Sequence, residues 1–243
     1  PRPYLGLSQV GNSCHRFLQY YHYWAFTSEH STRLKRLFQF GHRAEPVMIS
    51  ALAEQGIEVT GCQDSIVGVG GHWKGHVDGR IGDNRLFEAK THNDKSFKDL
   101  KKKKVKESKP GHYDQVVAYM GYLGLDDCLY MAENKNDSEY YVEIIPMDHE
   151  RFKELKQKQA EVIMAETLLP KIGSGTPAWF ECKFCEARSV CHKGKTPAVN
   201  CRTCKFVDVL PDGEWACSKT LSTLTIDEQK KACDSYHLGD IFR

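Results

Sequence analysis

The sequence predicts an α/β fold followed by a smaller cysteine-rich region, and two observations lead to this prediction. Up to about residue 170, helical and strand-like segments follow one another in the order helix, three strands, helix, two strands, helix. Seven of the ten cysteines lie beyond residue 180. The composition changes at the Gly/Pro/Ser-containing segment 171–177. We therefore predict a core domain over 1–173 and a metal-binding region over 174–243.

Composition limits the classes of protein to consider. The chain of 243 residues is 40% hydrophobic and 27% charged, with a formal net charge of +2. These values are typical of a soluble globular protein that is large enough for one sizeable core and a smaller module. No segment approaches the roughly 18 apolar residues that a membrane-spanning helix needs. We therefore expect no membrane association.

The first long helix is predicted over 29–55. The spacing of three and four residues places one acidic residue on an otherwise mainly apolar stripe. That stripe consists of Phe38, Gly41, Glu45, Met48, Ile49 and Leu52. A charge among apolar neighbours is costly unless it is paired, so Glu45 is a candidate functional residue. Pro46 is expected to kink the helix or to start a new one.

Strand-like sequence over 57–71 precedes a hairpin over 75–92, whose turn signal is Gly-Asp-Asn at 82–84. Each arm carries a carboxylate, Asp78 and Glu88, and Lys90 follows two residues after Glu88. Residues two apart on a strand project to the same face, so Glu88 and Lys90 lie together.

This set of side chains is suited to holding a divalent cation and activating water. Magnesium prefers oxygen ligands, which Asp78, Glu88, Glu45 and the carbonyl of Ala89 can supply. Lys90 is then placed to orient or deprotonate the water. An E-x-K triplet alone has little specificity, and exposed charges on hairpins are common. The apolar neighbours of the three acids strengthen the interpretation.

Further elements complete the predicted core. A short helix is expected over 112–124, ending at Gly124, followed by a second hairpin and a long amphipathic helix over 148–170. Between the E-x-K strand and the short helix lies a lysine-rich segment, which includes Lys101, Lys102, Lys103 and Lys104. These lysines are interpreted either as phosphate-binding groups or as part of a solvated loop.

Four motifs in this order resemble those of the PD-(D/E)XK nucleases, particularly the RecB-like and phage-exonuclease branch. They are GHRAE, GHVDGRI, EAK and QVVAY, and the resemblance covers most of residues 1–192. It implies a central mixed sheet flanked by helices. It also implies that Glu45, Asp78 and Glu88 hold the metal ions and that Lys90 is catalytic. Gln115 and Tyr119 would line the site.

Relatives often carry a histidine at the position of Glu45, and His42 is the alternative to it. The resemblance implies a deoxyribonuclease dependent on Mg²⁺ or Mn²⁺, with DNA as its substrate. An exonuclease in recombination, repair or phage replication is expected, with a recombination or replication protein as partner. The cytoplasm of a bacterial or phage-infected cell is the expected location. The alternatives are an inactive nucleic-acid-binding or assembly subunit and a restriction-type endonuclease.

The first cysteine group of the tail is Cys182-x2-Cys185-x5-Cys191, which provides three soft ligands and leaves a fourth position to fill. The adjacent His192 would complete a zinc site. The resemblance instead favours the distant Cys14, because some RecB-like nucleases hold a [4Fe–4S] cluster with one N-terminal cysteine and such a triplet.

The second cysteine group predicts a tetrathiolate zinc module, with His237 as an alternative last ligand. Its members are Cys201, Cys204, Cys217 and Cys233. Cys62 and Cys128 lie in apolar, strand-like contexts and are interpreted as core residues. The aromatic segment 17–26 is interpreted as core rather than as a base-stacking surface.

Overall fold

The computed structural model of the chain describes residues 2–28 and 31–243. Its helices are α1 (His15–His22), α2 (Thr32–Glu54), α3 (Asp94–Ser108), α4 (Pro110–Leu123), α5 (His149–Met164), α6 (Phe180–Lys183), α7 (Arg188–His192) and α8 (Ile226–Gln229). Its strands are β1 (Leu5–Gly6), β2 (Ser65–Val67), β3 (Trp73–His76), β4 (Gly79–Ile81), β5 (Arg85–His92), β6 (Asp127–Asn134), β7 (Tyr140–Pro146), β8 (Val207–Val209), β9 (Trp215–Cys217) and β10 (Ser222–Thr223). The α/β fold class is confirmed.

The central sheet has four strands in the order β4-β5-β6-β7. Strands β5 and β6 pair in parallel over eight residues, from Arg85 opposite Asp127 to His92 opposite Asn134. The two outer pairs are antiparallel, so the sheet is mixed. A parallel pair needs a crossover connection, and α3 and α4 provide it between β5 and β6. The three-stranded sheet β1-β3-β2 lies in the same core, and β10-β9-β8 forms a third sheet in the tail.

Helices cover both faces of the central sheet, because successive strand residues alternate between faces. On one face, Phe87, Leu129 and Met131 pack against Met48 and Leu52 of α2. On the other face, the alternate residues pack into the larger core with α3 and α4. That set includes Leu86, Cys128 and Tyr130 from the sheet and Val116 and Met120 from α4. The candidate site residues of β5 therefore lie in the central sheet, between α2 on one face and α3 and α4 on the other.

Helix α2 runs without a break from Thr32 to Glu54, and Pro46 lies inside it. Of the two outcomes expected at Pro46, a kink or a new helix, the second is therefore wrong. The N-terminal half of the helix is largely exposed, whereas the residues that follow it pack on the sheet through Ala44, Met48 and Leu52. Burial of these side chains stabilises the C-terminal half despite the proline.

The lysine-rich segment is helical, so its interpretation as a loop is wrong. It forms α3, which buries Phe97, Leu100 and Val105 and keeps most of its lysines exposed. Only three apolar residues face the core, and long lysine stems can cover apolar surface beside them. Lys104 has a left-handed backbone with φ of 63°, which marks a kink before the last turn.

The C-terminal region contacts the N-terminal part of the core. The Arg202 guanidinium is 1% exposed and donates hydrogen bonds to the carbonyl oxygens of His22 (2.9 Å) and Pro3 (2.8 Å). It lies between two indole rings, 3.8 Å from the Trp24 centroid and 4.4 Å from that of Trp215. These contacts hold the C-terminal region against the N-terminal segment of the chain.

A second contact brings two turns together backbone to backbone. Gly71 has φ of 72°, and a Cβ there would lie 2.3 Å from the carbonyl carbon of Asp212. Both the close approach and the left-handed backbone require glycine at this position. Across the described ranges, no helix is both long and apolar enough to cross a membrane.

Candidate active site

Asp78 and Glu88 face each other across an antiparallel strand pair. Gly79 pairs with Phe87 at the start of β4, so continuing the register by one residue places Asp78 opposite Glu88. Directly opposed residues project to the same face of a sheet. Asp78 Oδ2 also accepts a 2.8 Å hydrogen bond from the backbone N–H of Ala89. The hairpin thus brings the two carboxylates together, as the sequence predicts.

Glu88 is completely buried, and its two carboxylate oxygens differ in their partners. Oε1 accepts hydrogen bonds from Lys90 Nζ and, at 2.6 Å, from Gln115 Nε2. Oε2 is buried and has no hydrogen-bond partner among the residues that the structure describes. Burial raises the pKa of Glu88 to about 7, and the nearby charge of Asp78 adds to the rise, while Lys90 opposes it.

The Lys90 side chain is 21% exposed and forms an ion pair with Glu88. Burial lowers the pKa of Lys90, but attraction to the carboxylates of Glu88 and Asp78 outweighs it and leaves the pKa above its usual value. Lys90 is therefore an ammonium at neutral pH. Its side chain lines an open cleft, whereas Glu88 lies behind the cleft wall.

Glu45 reaches the same cleft from α2. Its Oε1 accepts a 3.1 Å hydrogen bond from Gln63 Nε2. Burial raises the pKa of Glu45, and the charge of Asp78, which lines the same cleft, raises it further. His42, the alternative to Glu45, also lines the cleft and is exposed.

Gln115 and Tyr119 lie one turn apart on α4, and both are buried. The amide of Gln115 holds the buried Glu88 carboxylate. The Tyr119 hydroxyl lies close to the backbone of Gly75. A Cβ added at Gly75 would be 2.8 Å from the Tyr119 hydroxyl oxygen. Burial and the neighbouring charges of Glu88 and Asp78 raise the pKa of Tyr119, so it remains a neutral phenol.

The donor set is suited to a hard divalent cation, which prefers carboxylate and carbonyl oxygens. The unpartnered Oε2 of Glu88 supports this fit, since a buried carboxylate oxygen without a partner is costly. However, no group of three or more His, Cys, Asp or Glu side chains in 2–28 and 31–243 is arranged to hold a metal ion. Each carboxylate instead accepts a hydrogen bond from a protein donor. Glu45 accepts one from Gln63, and Asp78 accepts one from the backbone of Ala89. Glu88 accepts hydrogen bonds from Lys90 and Gln115.

Two histidines near Lys90 were not identified from the sequence. The Tyr130 hydroxyl contacts Nδ1 of His112 at 2.8 Å and Nε2 of His92 at 3.2 Å. Burial lowers the pKa of His92 to about 4 and that of His112 to about 3. Both histidines line the cleft, together with Arg2 and Lys135. His92 lies on β5 and His112 on α4, so no local sequence pattern joins the two histidines.

The first cysteine group surrounds one small cavity. Cys14, Cys182, Cys185 and Cys191 all line it, and so does His192. All four thiols are free, and Cys14 Sγ accepts a hydrogen bond from the N–H of Phe17 at the start of α1. The fold therefore brings the distant Cys14 to the triplet.

The second cysteine group lines a separate cavity in the tail. Cys201, Cys204, Cys217 and Cys233 share it, and His237 is not among its lining residues. Cys201 Sγ donates a hydrogen bond of 3.0 Å to the carbonyl oxygen of Lys231. Each group of four thiols thus shares a cavity, although neither has a metal-binding arrangement in the described part of the chain. Cys128 is buried as expected, whereas Cys62 is exposed and is not a core residue.

The lysines of α3 are partly neutralised. Lys101 pairs with Glu139 at 2.5 Å and Lys103 with Asp99 at 2.8 Å. Lys102 and Lys104 are exposed. The aromatic segment belongs mainly to the core, with Tyr20, Tyr23 and Trp24 buried.

Comparisons with known proteins identify relatives in structure but not in sequence. No protein-family model matches the sequence, and no curated protein is significantly similar to it. An alkaline exonuclease from Laribacter hongkongensis is 18% identical with a TM-score of 0.46, over 66% of this chain and 86% of that one. A phage-related exonuclease from Haemophilus somnus 129PT is 14% identical with a TM-score of 0.50, over 65% of this chain and 91% of that one. At the level of the fold, this chain is similar to the phage-related exonuclease.

Proposed function

We propose that the chain is a metal-dependent deoxyribonuclease that hydrolyses phosphodiester bonds of DNA. The observation that supports this most strongly is the buried Glu88, whose Oε2 has no hydrogen-bond partner among the described residues, beside Lys90 and Asp78, which line an open cleft. A carboxylate with a pKa of about 7 and a neighbouring ammonium are typical of catalytic sites. The fold shared with a phage-related exonuclease is consistent with this activity.

Glu45, Asp78, Glu88 and the carbonyl of Ala89 would hold Mg²⁺ or Mn²⁺. When bound, the cation would neutralise the phosphate charge and lower the pKa of water. Glu88 offers Oε2 without loss of a protein hydrogen bond. Asp78 keeps its orientation through the backbone N–H of Ala89.

The protein's own groups supply orientation and charge. Lys90 carries a positive charge at the cleft surface, where it can contact a phosphate oxygen or orient the attacking water. Gln115 donates to Glu88 and fixes the plane of its carboxylate, which limits the positions that Oε2 can take. Tyr119 lies one turn after Gln115 on α4 and would help to hold the Gln115 amide in place.

An exonuclease that acts on DNA ends in recombination, repair or phage replication is the proposed role. The protein from Haemophilus somnus whose fold this chain shares is a phage-related exonuclease by name. A cytoplasmic location in a bacterial or phage-infected cell, with a recombination or replication protein as partner, belongs to the same proposal.

The two cysteine groups are proposed as metal sites that stabilise the chain. Cys14, Cys182, Cys185 and Cys191 would hold a [4Fe–4S] cluster, with zinc as the alternative, because all four line one cavity.

Cys201, Cys204, Cys217 and Cys233 would hold zinc for the same reason. The boundary near residue 174 is proposed to separate the nuclease core, over 1–173, from this metal-binding region, over 174–243.

A cleavage assay tests the proposed activity. Purified protein is incubated with linear and with closed circular DNA, with Mg²⁺, with Mn²⁺ or with EDTA. We expect degradation of linear DNA that requires the cation and is absent in Lys90→Ala. Cleavage of the circular substrate would identify an endonuclease instead. No cleavage of either DNA by the folded wild-type protein would contradict the proposal and favour an inactive binding subunit.

A further inference from the structure

A groove of about 510 Å³ lies between the core and the C-terminal region and, among the residues that the structure describes, shares no lining residue with the candidate active site. The core lines it with residues 163–166, at the end of α5, and with the turn that contains Val69 and Gly70. The C-terminal region lines it with residues 207–211, which begin with strand β8. We name this feature the β8 groove. Its volume lies in the range of roughly 300–1,000 Å³ that is typical of ligand sites.

Strand β8 presents its free edge to the β8 groove. It is the last strand in the order β10-β9-β8, so β9 is its one partner among the described strands. All five residues over 207–211 line the groove. Because side chains alternate between the two faces of a strand, an unbroken run of lining residues indicates that the edge, rather than one face, borders the groove.

The backbone of Val209 is directed to this free edge. The next residue, Leu210, donates its N–H to the carbonyl oxygen of Glu214 at 3.0 Å, so Leu210 points its N–H toward β9. Neighbouring residues in an antiparallel pair point their backbone groups in opposite directions. Val209 lies opposite Trp215 and therefore directs its N–H and C=O away from β9. A strand edge of this kind can pair with a further strand.

The side chains around the free edge are mainly apolar. Met164, at the end of α5, is 73% exposed, and Val207 and Val209 of β8 are partly buried. Val69 and Ile163 continue the apolar lining on the core side. Exposed apolar side chains that are grouped in this way indicate an interaction surface.

The charge of the β8 groove is negative. Glu166 and Asp208 are exposed acids on its two sides, and no lysine or arginine of the described ranges lines it. Neither acid forms a salt bridge with a residue that the structure describes. Burial lowers the pKa of His72, which also lines the groove, so this residue adds no positive charge at neutral pH. The groove therefore repels phosphate and attracts basic side chains.

We propose that the β8 groove binds an extended peptide segment of a partner protein, which adds a strand to the free edge of β8. The segment would carry apolar side chains at alternate positions, where they contact Met164 and the valines of β8. A lysine or arginine of the segment would face Glu166 and Asp208. Backbone pairing supplies affinity in this mode of recognition, and the side-chain contacts supply selectivity. The inference goes beyond the proposed function, because it assigns a protein ligand to a surface separate from the cleft.

Other occupants fit the groove less well. A helix forms its backbone hydrogen bonds internally and would leave the N–H and C=O of Val209 without a partner. A nucleic acid would bring phosphates toward Glu166 and Asp208. A second copy that offered the same edge would bring the acids of both grooves together without a cation between them.

Peptide-binding measurements without DNA test the inference. An array of nonapeptides carries valine at alternate positions and one lysine at each of the remaining positions in turn, with threonine elsewhere. The tightest binder is labelled with fluorescein and titrated with the full chain by fluorescence anisotropy. We expect saturable one-to-one binding. Replacement of the peptide's lysine by glutamate should weaken it at least about tenfold, because the groove is acidic.

N-methylated peptides test the backbone pairing. Methylation of alternate amides removes the donors along one edge of an extended peptide and leaves those of the other edge intact. One of the two methylated versions should bind at least about tenfold more weakly than the parent peptide, and the other should bind within about threefold of it. Equal losses in both versions, or a loss in neither, would overturn the assignment of an added strand.

Matched variants of the chain locate the binding. Glu166→Gln combined with Asp208→Asn should weaken the lysine peptide about threefold to tenfold and should lower the salt dependence of binding. Met164→Ala should weaken it about threefold through lost apolar contact. Asp83→Asn combined with Glu150→Gln removes two exposed acids outside the groove and should change binding less than twofold.

Two further results would contradict the inference. No binding by any peptide of the array, or binding that the groove variants leave unchanged, would overturn it. Self-association in sedimentation experiments that is lost in Met164→Glu would assign the groove to a second copy and would overturn it as well. DNA cleavage enters none of these measurements, so their outcome is independent of the proposed function.

Discussion

The backbone N–H of Ala89 donates a 2.8 Å hydrogen bond to Oδ2 of Asp78 and so joins the carboxylate of one hairpin arm to the backbone of the other. Ala89 stands between Glu88 and Lys90 in the sequence. The position of Asp78 is therefore fixed relative to both residues by one bond. Because this contact uses the main chain, it does not depend on the side chain at position 89.

Replacement of Lys90 by alanine should abolish cleavage of linear DNA and preserve the fold. The side chain supplies the ammonium next to Glu88, and its loss should lower the rate at least about 100-fold. Initial rates with Mg²⁺ and far-ultraviolet circular dichroism provide the measurement. Lys95→Ala, which changes an exposed lysine outside the cleft, is the matched control and should cleave at the wild-type rate. Wild-type activity in Lys90→Ala would remove Lys90 from the mechanism.

Stability should fall in mildly acidic solution because two histidines are held neutral. Burial lowers the pKa of His92 to about 4 and that of His112 to about 3, against about 6.5 in the unfolded chain. Above pH 6.5 both states are neutral, so the full stability is present. As the pH falls below 6.5, the unfolded state binds the protons first. The contribution of each histidine to the free energy of unfolding should then decrease by up to about 1.4 kcal/mol per pH unit, and the raised pKa of Glu88 opposes this decrease in part.

Urea unfolding between pH 4.5 and 7.5 measures this dependence. His112→Gln should show a shallower loss of stability below pH 6.5 than the wild type, because one of the groups that the fold holds neutral is gone. His149→Gln, at an exposed position, should retain the wild-type slope. An unchanged slope in His112→Gln would show that His112 is not held neutral by the fold.

Arg202→Leu should destabilise the protein by about 3 kcal/mol. The substitution leaves three acceptors without a donor: the carbonyl oxygens of Pro3 and His22 and the amide oxygen of Gln229. Burial already lowers the pKa of Arg202 to about 9, so the hydrogen bonds and the indole contacts must offset the cost of the buried charge.

Arg202→Lys should not restore stability, because an ammonium lacks the planar donors that fit between the two indole rings. The free energy of unfolding in urea is the measurement. Arg243→Ala, which removes an exposed arginine, is the control and should change it by less than about 0.5 kcal/mol. A fully stable Arg202→Lys protein would mean that charge alone holds the tail in place.

The two cysteine groups should bind different metals independently. Protein purified without oxygen should contain about four irons and one zinc per chain. Cys182→Ser with Cys185→Ser should remove the iron and the brown colour, whereas Cys201→Ser with Cys204→Ser should remove the zinc. Cys62→Ser, an exposed cysteine outside both groups, should change neither. Elemental analysis gives the counts. Two zincs and no iron in the wild type would contradict the cluster but not the nuclease.

Local patterns were sufficient to predict several elements of the fold. Helix α4 ends at Gly124, which has the left-handed φ of 68° that makes glycine a common helix terminator. The hairpin that joins Asp78 to Glu88 follows from its turn signal and its alternating residues. These features depend on neighbours in the sequence, so periodicity and turn chemistry indicate them directly.

The features that the sequence did not predict depend on contacts between distant segments. Helix α3 has few apolar residues, and those that it has pack against α4, β6 and β7, which are distant from most of it in the sequence. The Tyr130 hydroxyl joins His92 to His112, which are 20 residues apart on different elements. Cys62 has an apolar sequence context, yet it lies in a surface turn before β2. Tertiary packing decides each of these cases.

Binding of Mn²⁺ measured by isothermal titration calorimetry tests the central claim most directly, because it reports on the carboxylate site without requiring turnover. The wild-type protein should bind the ion, and Asp78→Ala should lose that binding. Asp83→Ala, in the exposed turn of the same hairpin, should bind it as the wild type does. Equal binding by the wild type and Asp78→Ala, or no binding by either, would contradict the proposed cation site.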